Sequence, residues 1–117
     1  MTRWVLFLDD LRFPAQERDD LVIARTSAEA LALIEARGCP AEMMLDHDLG
    51  EGDDASKIFY NGFEALVLDG KVSIPEDFHC TVHSMNPIGG PVLKAKVDRL
   101  VAEMRSRDAE GPLPGIE

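Results

Sequence analysis

The sequence contains little of what secreted and membrane proteins depend on. It has two cysteines in 117 residues, too few for the disulfide framework of a small secreted domain. Cys39 lies beside Pro40 in a predicted loop and Cys80 lies within a predicted strand, so we expect two free thiols. No apolar run approaches the roughly 20 residues that cross a bilayer, and the N-terminus lacks a signal-peptide pattern. We therefore expect a cytoplasmic protein that does not contact a membrane.

Positive charge is also scarce. The chain has 12 Lys and Arg residues against 22 Asp and Glu residues, which gives a formal net charge of -10. A protein this acidic lacks the broad basic surface that grips an extended nucleic-acid backbone. A small phosphate ligand stays compatible with this charge, because a bound divalent cation reverses the local field.

Apolar runs of strand length alternate with segments of helical spacing. The predicted strands cover residues 4–8, 21–24, 41–45 and 78–84, and the predicted helices cover residues 26–38, 61–70 and 91–107. Strands that are apolar on both faces and separated by helices indicate a parallel sheet with both faces covered. In the last helix, the residues expected to face the core include Val92, Ala95, Leu100 and Met104. We predict one α/β domain over residues 1–107, followed by a flexible Gly/Pro-rich tail over residues 108–117.

Polar residues follow three of the four predicted strands. Asp9-Asp10 comes after the first strand, Asp46-His47-Asp48 after the third, and His83-Ser84 after the fourth. Because parallel strands end at the same edge of a sheet, and binding sites form at that edge, these residues should converge. The sequence therefore predicts a polar site at the carboxyl edge of the sheet.

The residue types in this predicted site suit metal and acid–base chemistry. Carboxylates at this density stay ionised only beside a cation or strong hydrogen bonds. Asp9, Asp10 and Asp46 form a suitable oxygen-ligand set for Mg²⁺ or Mn²⁺. His47 and His83 add imidazole, which shifts the preference towards transition metals such as Mn²⁺, Fe²⁺ or Zn²⁺. Alternatively, the two histidines act as general acid and base.

The acidic loop after the third strand is not an EF-hand. Over the twelve residues from Asp46, the required glycine position is occupied by Glu51 and the closing glutamate position by Lys57. We interpret the remaining acids of this loop, Glu51, Asp53 and Asp54, as a solvated surface.

Two further segments contain candidate phosphate ligands. In "HSMNPIGGP", Gly89 and Gly90 precede Pro91, which opens the last predicted helix, and exposed amides near a helix N-terminus bind phosphates. Ser84 and Asn86 would add side-chain hydrogen bonds, although the same residues are also typical of a simple turn. Arg12 follows the first acidic pair and either clamps an anionic substrate or forms a surface ion pair.

The motifs "VLFLDD" and "LDHDLG", together with a strand ending at Ser84, resemble the acidic pocket of response-regulator receiver domains. In that family an acidic pair after the first strand binds Mg²⁺, and an Asp after the third strand accepts a phosphoryl group. Asp9 and Asp10 match the pair, Asp46 matches the acceptor, and Ser84 matches the hydroxyl residue of the fourth strand.

Two departures from the receiver pattern argue against phosphorelay signalling. Receivers have a fifth strand that ends in a lysine, whereas Lys94 and Lys96 lie in the last predicted helix. Receivers also lack a histidine directly after the acceptor or before the hydroxyl residue, the positions of His47 and His83.

A closer resemblance is to the cyclic-phosphate processing receiver domains, through "LFLDDLRFP", "LDHDLG", "NGFEAL" and "HSMNPIGG". It implies a receiver-like (flavodoxin-like) three-layer sandwich with a shortened, mostly parallel sheet of about four strands. It also implies a metal-assisted phosphoesterase that acts on cyclic phosphate ends of RNA or related nucleotides. The implied site consists of Asp9, Asp10, Asp46, His47, Asp48 and His83.

In the corresponding mechanism the three aspartates hold a divalent ion, and His47 or His83 protonates the leaving 2′- or 3′-oxygen. Arg12 and the amides after Gly89 hold the remaining phosphate oxygens. The alternatives are a degenerate receiver that is phosphorylated on Asp46, or a non-catalytic interaction module.

Overall fold

The computed structural model of the protein describes residues 3–110, and these residues contain a parallel sheet of four short strands. The strand order is β2-β1-β3-β4, and the neighbouring strands pair in parallel. The strands are β1 (Val5–Leu8), β2 (Leu21–Ala24), β3 (Glu42–Leu45) and β4 (His79–Val82). The receiver-like α/β class and the four-stranded sheet are therefore confirmed.

Three α-helices and one π-helical segment connect or follow the strands. They are α1 (Ser27–Arg37), the π-helical segment Ala55–Phe59, which continues directly into α2 (Tyr60–Leu68), and α3 (Gly89–Glu110). Thr26 caps α1 by accepting a hydrogen bond from the amide of Glu29 at 3.1 Å. None of the helices within residues 3–110 is both long and apolar enough to cross a membrane.

Two predicted helix boundaries were wrong. The helix predicted from residue 61 begins six residues earlier with the π-helical segment, because Asp54 provides its cap. Helix α3 extends to Glu110, so residues 108–110 of the predicted flexible tail are helical. Residues 111–117 of that tail lie outside the described part of the chain.

One face of the sheet is covered by all of the helices. The strand register places Leu6, Met43 and Cys80 side by side on this face. They join a buried cluster with residues of each helical element, including Ile34, Phe59, Phe63, Val97 and Leu100. Right-handed crossovers explain this placement, since β2 to β3 and β3 to β4 advance in the same direction across the sheet.

The opposite face of the sheet has a loop in place of a helix among the described residues. The β1–β2 connection contains Pro14 and no helical apolar spacing, so it forms no helix. Its Arg18 forms an ion pair with Glu42 on this face, with 3.3 Å between Nη1 and Oε1. Phe7, also on this face, is covered by the ring of His83. The outer layer expected here in a three-layer sandwich is thus a loop.

The inward face of α3 agrees with the prediction only in part. Leu100 is buried and Met104 packs against the core, as predicted, whereas Val92 is 42% exposed and Ala95 is exposed. Leu93 and Val97 occupy the inward positions of the first turns instead, because they lie at helical spacing from Leu100.

The two cysteines are free, as predicted. Burial raises the pKa of both Cys39 and Cys80 to about 12. The thiolate is the reactive form of cysteine, so burial keeps both thiols unreactive at neutral pH.

Phe63 provides a test of the helix–sheet core. It is 0% exposed and its ring stacks on Phe59 with centroids 6.0 Å apart. Phe63→Ala should lower the free energy of unfolding by about 3–5 kcal/mol, measured by urea denaturation, because it leaves a cavity that cannot collapse. Leu68→Ala on the same helix is the control, since Leu68 is 48% exposed. Equal losses in the two variants would contradict this core.

Candidate functional site

Four residues lie in a row at the carboxyl edge of the sheet, each the first residue after a strand. They are Arg25, Asp9, Asp46 and His83, in the spatial order of the strands. Backbone hydrogen bonds extend the strand pairing to this row: the amides of Asp9, Asp46 and His83 donate to Ala24, Leu8 and Leu45 at 3.1, 2.8 and 2.9 Å. The main chain therefore fixes which side chains are neighbours at this edge.

Three carboxylates form a cluster in the middle of this edge. Asp9, Asp10 and Asp46 each present an oxygen, and the three oxygens lie within 4.8 Å of one another. Asp9 is buried, whereas Asp10 and Asp46 are half-buried. We call this set the acidic cluster. The structure thus brings together the three residues that the sequence predicted as metal ligands.

Asp9 is stabilised in its ionised form. Its Oδ1 accepts hydrogen bonds from the amides of Leu11 and Arg12 at 3.0 and 2.8 Å, and its Oδ2 lies 3.1 Å from Nε2 of His83. Burial alone would raise the pKa of Asp9, but these hydrogen bonds outweigh it and lower the pKa below the usual 3.8. A carboxylate offers about four acceptor positions, so one position is left for a cation.

The ionised form of Asp46, in contrast to that of Asp9, is destabilised. Burial and the negative charge of Asp9 raise its pKa above the usual 3.8, and the nearby His83 only partly offsets them. The acidic cluster therefore contains negative charge that the surrounding protein does not balance. Hard oxygen ligands with such an excess charge fit Mg²⁺ or Mn²⁺.

His83 adjoins the acidic cluster. Besides its contact with Asp9, its ring stacks on Phe7 with centroids 5.0 Å apart and planes 12° apart. The His83 side chain is 27% exposed. Its Nδ1 has no hydrogen-bond partner within the described part of the chain. His83 is thus held in a fixed orientation with one ring nitrogen available to a ligand.

His47 occupies a different place from His83. It is buried, and its Nδ1 lies 2.8 Å from Asp48. Its Nε2 lies 3.0 Å from Asp54 and 3.3 Å from the hydroxyl of Ser56. Both ring nitrogens of His47 therefore contact groups of the acidic loop. The carboxylate of Asp48 is directed to His47 through its Oδ1. The structure does not bring this pair into the acidic cluster, and their catalytic role stays a prediction.

The interpretation of the acidic loop as a solvated surface was wrong for two of its three acids. Asp53 accepts hydrogen bonds from the amide of Ser27 at 2.9 Å and from its hydroxyl, and so fixes the loop to the start of α1. Asp54 accepts from the amide and the hydroxyl of Ser56 at 2.8 and 2.6 Å. Although burial alone would raise the pKa of Asp54, these bonds lower it. Only Glu51 is exposed as expected.

Most of the predicted phosphate ligands are engaged with one another. Asn86 accepts hydrogen bonds through Oδ1 from the amides of Gly89 and Ile88 at 2.7 and 3.0 Å. Ser84 accepts from the amide of Asn86 at 3.0 Å. The first amides of α3 are thus capped by the chain itself, which is the turn alternative. Arg12 is exposed, and its Nη1 lies 3.4 Å from the carbonyl oxygen of His83, beside the acidic cluster.

Gly89 has a steric role at this point. A Cβ atom on Gly89 would lie 2.4 Å from Nε2 of His47. The absence of a side chain is therefore what lets the start of α3 approach the buried imidazole.

Arg25 is the residue of this edge that the sequence analysis missed. Its guanidinium donates to the carbonyl oxygens of Asp9, at 3.0 Å, and Arg12. The same guanidinium lies 4.6 Å from the centroid of the Phe13 ring. Its position in the sequence could have identified it. Arg25 directly follows β2, just as the other three residues of the row directly follow their strands.

No lysine within residues 3–110 forms an ion pair with the acidic cluster. Lys94 pairs with Asp98 at 2.7 Å, and Lys96 donates to the carbonyl oxygen of Ser56 at 2.9 Å. The lysine that receivers place at the end of a fifth strand thus has no replacement among the described lysines.

Comparison with known proteins identifies one family. The family described as the cyclic-phosphate processing receiver domain matches residues 4–99. No curated protein and no solved structure matches the chain.

The contact between Gly89 and His47 predicts the effect of adding one methyl group. Gly89→Ala should lower the free energy of unfolding by about 1–3 kcal/mol, because His47 or α3 must move. Gly90→Ala is the matched control, since its Cβ would lie 3.3 Å from Cβ of Ser84 and a small shift accommodates it. Urea denaturation measures both variants. A Gly89→Ala protein as stable as the wild type would contradict the buried position of His47.

The raised pKa of Asp46 predicts a pH-dependent cost in stability. Between the usual pKa of 3.8 and the higher folded value, the folded state binds more protons than the unfolded state, so stability falls as pH rises through this window. At neutral pH the repulsion is fully present. Asp46→Asn without metal should therefore be more stable than the wild type at neutral pH.

The difference between Asp46→Asn and the wild type should disappear below the usual pKa, where Asp46 is protonated in both states. Urea denaturation in the presence of a chelator, repeated across acidic and neutral pH, measures it. Glu51→Gln controls for loss of one negative charge from the same region. A stability difference that does not change with pH would contradict the charge repulsion.

Proposed function

The chain belongs to the cyclic-phosphate processing receiver domains, and on that premise we propose that it is a metal-dependent phosphoesterase acting on cyclic phosphate ends of RNA or on cyclic nucleotides. The observation that carries the proposal is the acidic cluster with His83 beside it. Such an arrangement would supply a cation site and a proton donor to one phosphate group.

The metal ion would be held by Asp9, Asp10 and Asp46. Their oxygens favour Mg²⁺ or Mn²⁺, and Zn²⁺ becomes a candidate if His83 joins the ligands. When bound, such an ion polarises a phosphate oxygen and lowers the pKa of bound water, so that hydroxide is supplied at neutral pH. Charge neutralisation by the ion would also relieve the repulsion that raises the pKa of Asp46.

His83 is the proposed general acid. In its imidazolium form, Nε2–H is directed to Asp9 at 3.1 Å, and Nδ1–H is the proton available to the leaving 2′- or 3′-oxygen. Asp9 would orient the ring through its contact with Nε2. His47 is less suited to this role, because both of its ring nitrogens contact the acidic loop.

Arg12 is the proposed clamp for the phosphate oxygens. Its side chain is exposed and its guanidinium lies beside the carbonyl oxygen of His83. A planar guanidinium can donate two parallel hydrogen bonds to a phosphate. The capped amide of Gly89 would contribute only after its bond to Asn86 opens.

Hydrolysis of a 2′,3′-cyclic nucleotide with Mg²⁺ or Mn²⁺ tests the proposal. His83→Gln should lower kcat/KM by about 10²–10⁴-fold, the usual contribution of a general acid, and should remove the alkaline limb of the pH–rate profile, where a general acid has lost its proton. Asp46→Asn should abolish turnover and weaken metal binding measured by calorimetry, while the protein stays folded. Glu51→Gln is the control, because it removes a carboxylate of the acidic loop that is exposed to solvent.

Two results would contradict this assignment. Unchanged turnover in Asp46→Asn would exclude the proposed metal site. A stable gain of one phosphoryl group from acetyl phosphate and Mg²⁺, lost in Asp46→Asn and without cyclic nucleotide hydrolysis, would instead show a receiver that is phosphorylated on Asp46.

A further inference from the structure

Exposed apolar side chains surround the proposed site. Leu11 and Phe13 lie in the loop after β1, following the two aspartates of the acidic cluster, and Met85 and Ile88 lie in the loop after β4, following His83. Their exposed fractions are 79%, 74%, 83% and 76%, the four highest among the large hydrophobic residues within the described range. Exposed apolar groups concentrated beside a binding site indicate contact with an apolar part of a ligand.

Phe13 differs from the other three because its position is fixed. The guanidinium of Arg25 lies 4.6 Å from the centroid of its ring, a distance at which a cation attracts an aromatic face. Arg25 is itself tied to the carbonyl oxygens of Asp9 and Arg12, on either side of the turn that follows β1. The ring thus rests on a fixed cation and stays 74% exposed.

Phe13 also lies close to the acidic cluster. It lies three positions after Asp10 in the sequence, and three residues of extended chain span at most about 11 Å. Its support, Arg25, is the direct neighbour of Asp9 in the row at the carboxyl edge. A group stacked on Phe13 and a phosphate at the acidic cluster can therefore belong to one small molecule.

We propose that Phe13 stacks the nucleobase of the ligand whose phosphate group binds at the acidic cluster. This inference rests on the proposed function and extends it, because it names the residue that binds the base of the nucleotide. Every nucleobase has a flat π face, so one aromatic ring binds bases with little sequence preference. Binding of a single base is also consistent with the net charge of -10, because an acidic protein disfavours contacts along an extended nucleic-acid backbone.

Equilibrium binding to the Mn²⁺-loaded protein separates the base from the phosphate. The probes are adenosine 3′-monophosphate and an abasic ribose phosphate, so that turnover is not needed for the measurement. The wild type should bind the nucleotide about 10-fold more tightly than the abasic probe, the size expected for one stacked base. Phe13→Leu, which keeps an apolar side chain but removes the π face, should lose most of this preference.

Two further variants sharpen the measurement. Phe13→Trp should keep the preference, and its indole fluorescence should be quenched by the nucleotide. The native Trp4 is a suitable background, since it is buried at the opposite end of β1 and donates to the carbonyl oxygen of Gly38 at 3.1 Å. Leu68→Ala removes an exposed apolar side chain of α2 that lies outside this set and should leave the preference unchanged.

The outcomes distinguish the two proposals. Equal binding of both probes by the wild type, or a preference that survives in Phe13→Leu, overturns the stacking role and leaves the phosphate site intact. Failure of both probes to bind overturns the proposed function and the stacking role with it.

Discussion

The parallel register of the sheet is the constraint on which the site depends. Each strand ends at the same level, so the first residue after each strand becomes part of one row. The main-chain hydrogen bonds that hold Asp9, Asp46 and His83 in this row involve no side chain. Carboxylates that repel one another are thus kept adjacent by backbone pairing, whose free energy does not depend on their charge. The acidic cluster is therefore held together by the fold of the backbone itself.

The many acids of the chain divide into two groups with different physical roles. Asp53 and Asp54 accept hydrogen bonds from residues that start helical segments, so each stabilises the fold locally. Asp46 has too few hydrogen-bond donors around it to offset its burial and the negative charge of Asp9, so its pKa is raised. Asp9 lies between these extremes, since its hydrogen bonds stabilise its charge while it also supports His83. Charge that the protein neutralises is structural, and charge that it leaves unbalanced is available to a ligand.

Much of the fold followed from the sequence because its strands are short and continuously apolar. All four strands were predicted within two residues of their observed ends, and the alternation with helices indicated a parallel sheet. The inward face of α3 was predicted only in part, since Leu100 faces the core as expected but Leu93 takes the place expected for Val92. The early start of the helical segment at Ala55 had a recognisable cap in Asp54, which we had interpreted as solvated.

The sequence by itself determined which residues stand at the carboxyl edge, since strand ends and parallel pairing are local and repetitive features. It therefore placed Asp9, Asp46 and His83 together correctly. Only the tertiary structure decided that His47 turns away from them to contact the acidic loop, and that Arg25 supports the loop after β1. The physical reason is that the direction of a side chain after a strand depends on the partners that folding brings to it: Arg25 contacts residues 13 and 16 positions away, and the orientation of His47 depends on how the acidic loop folds back onto it.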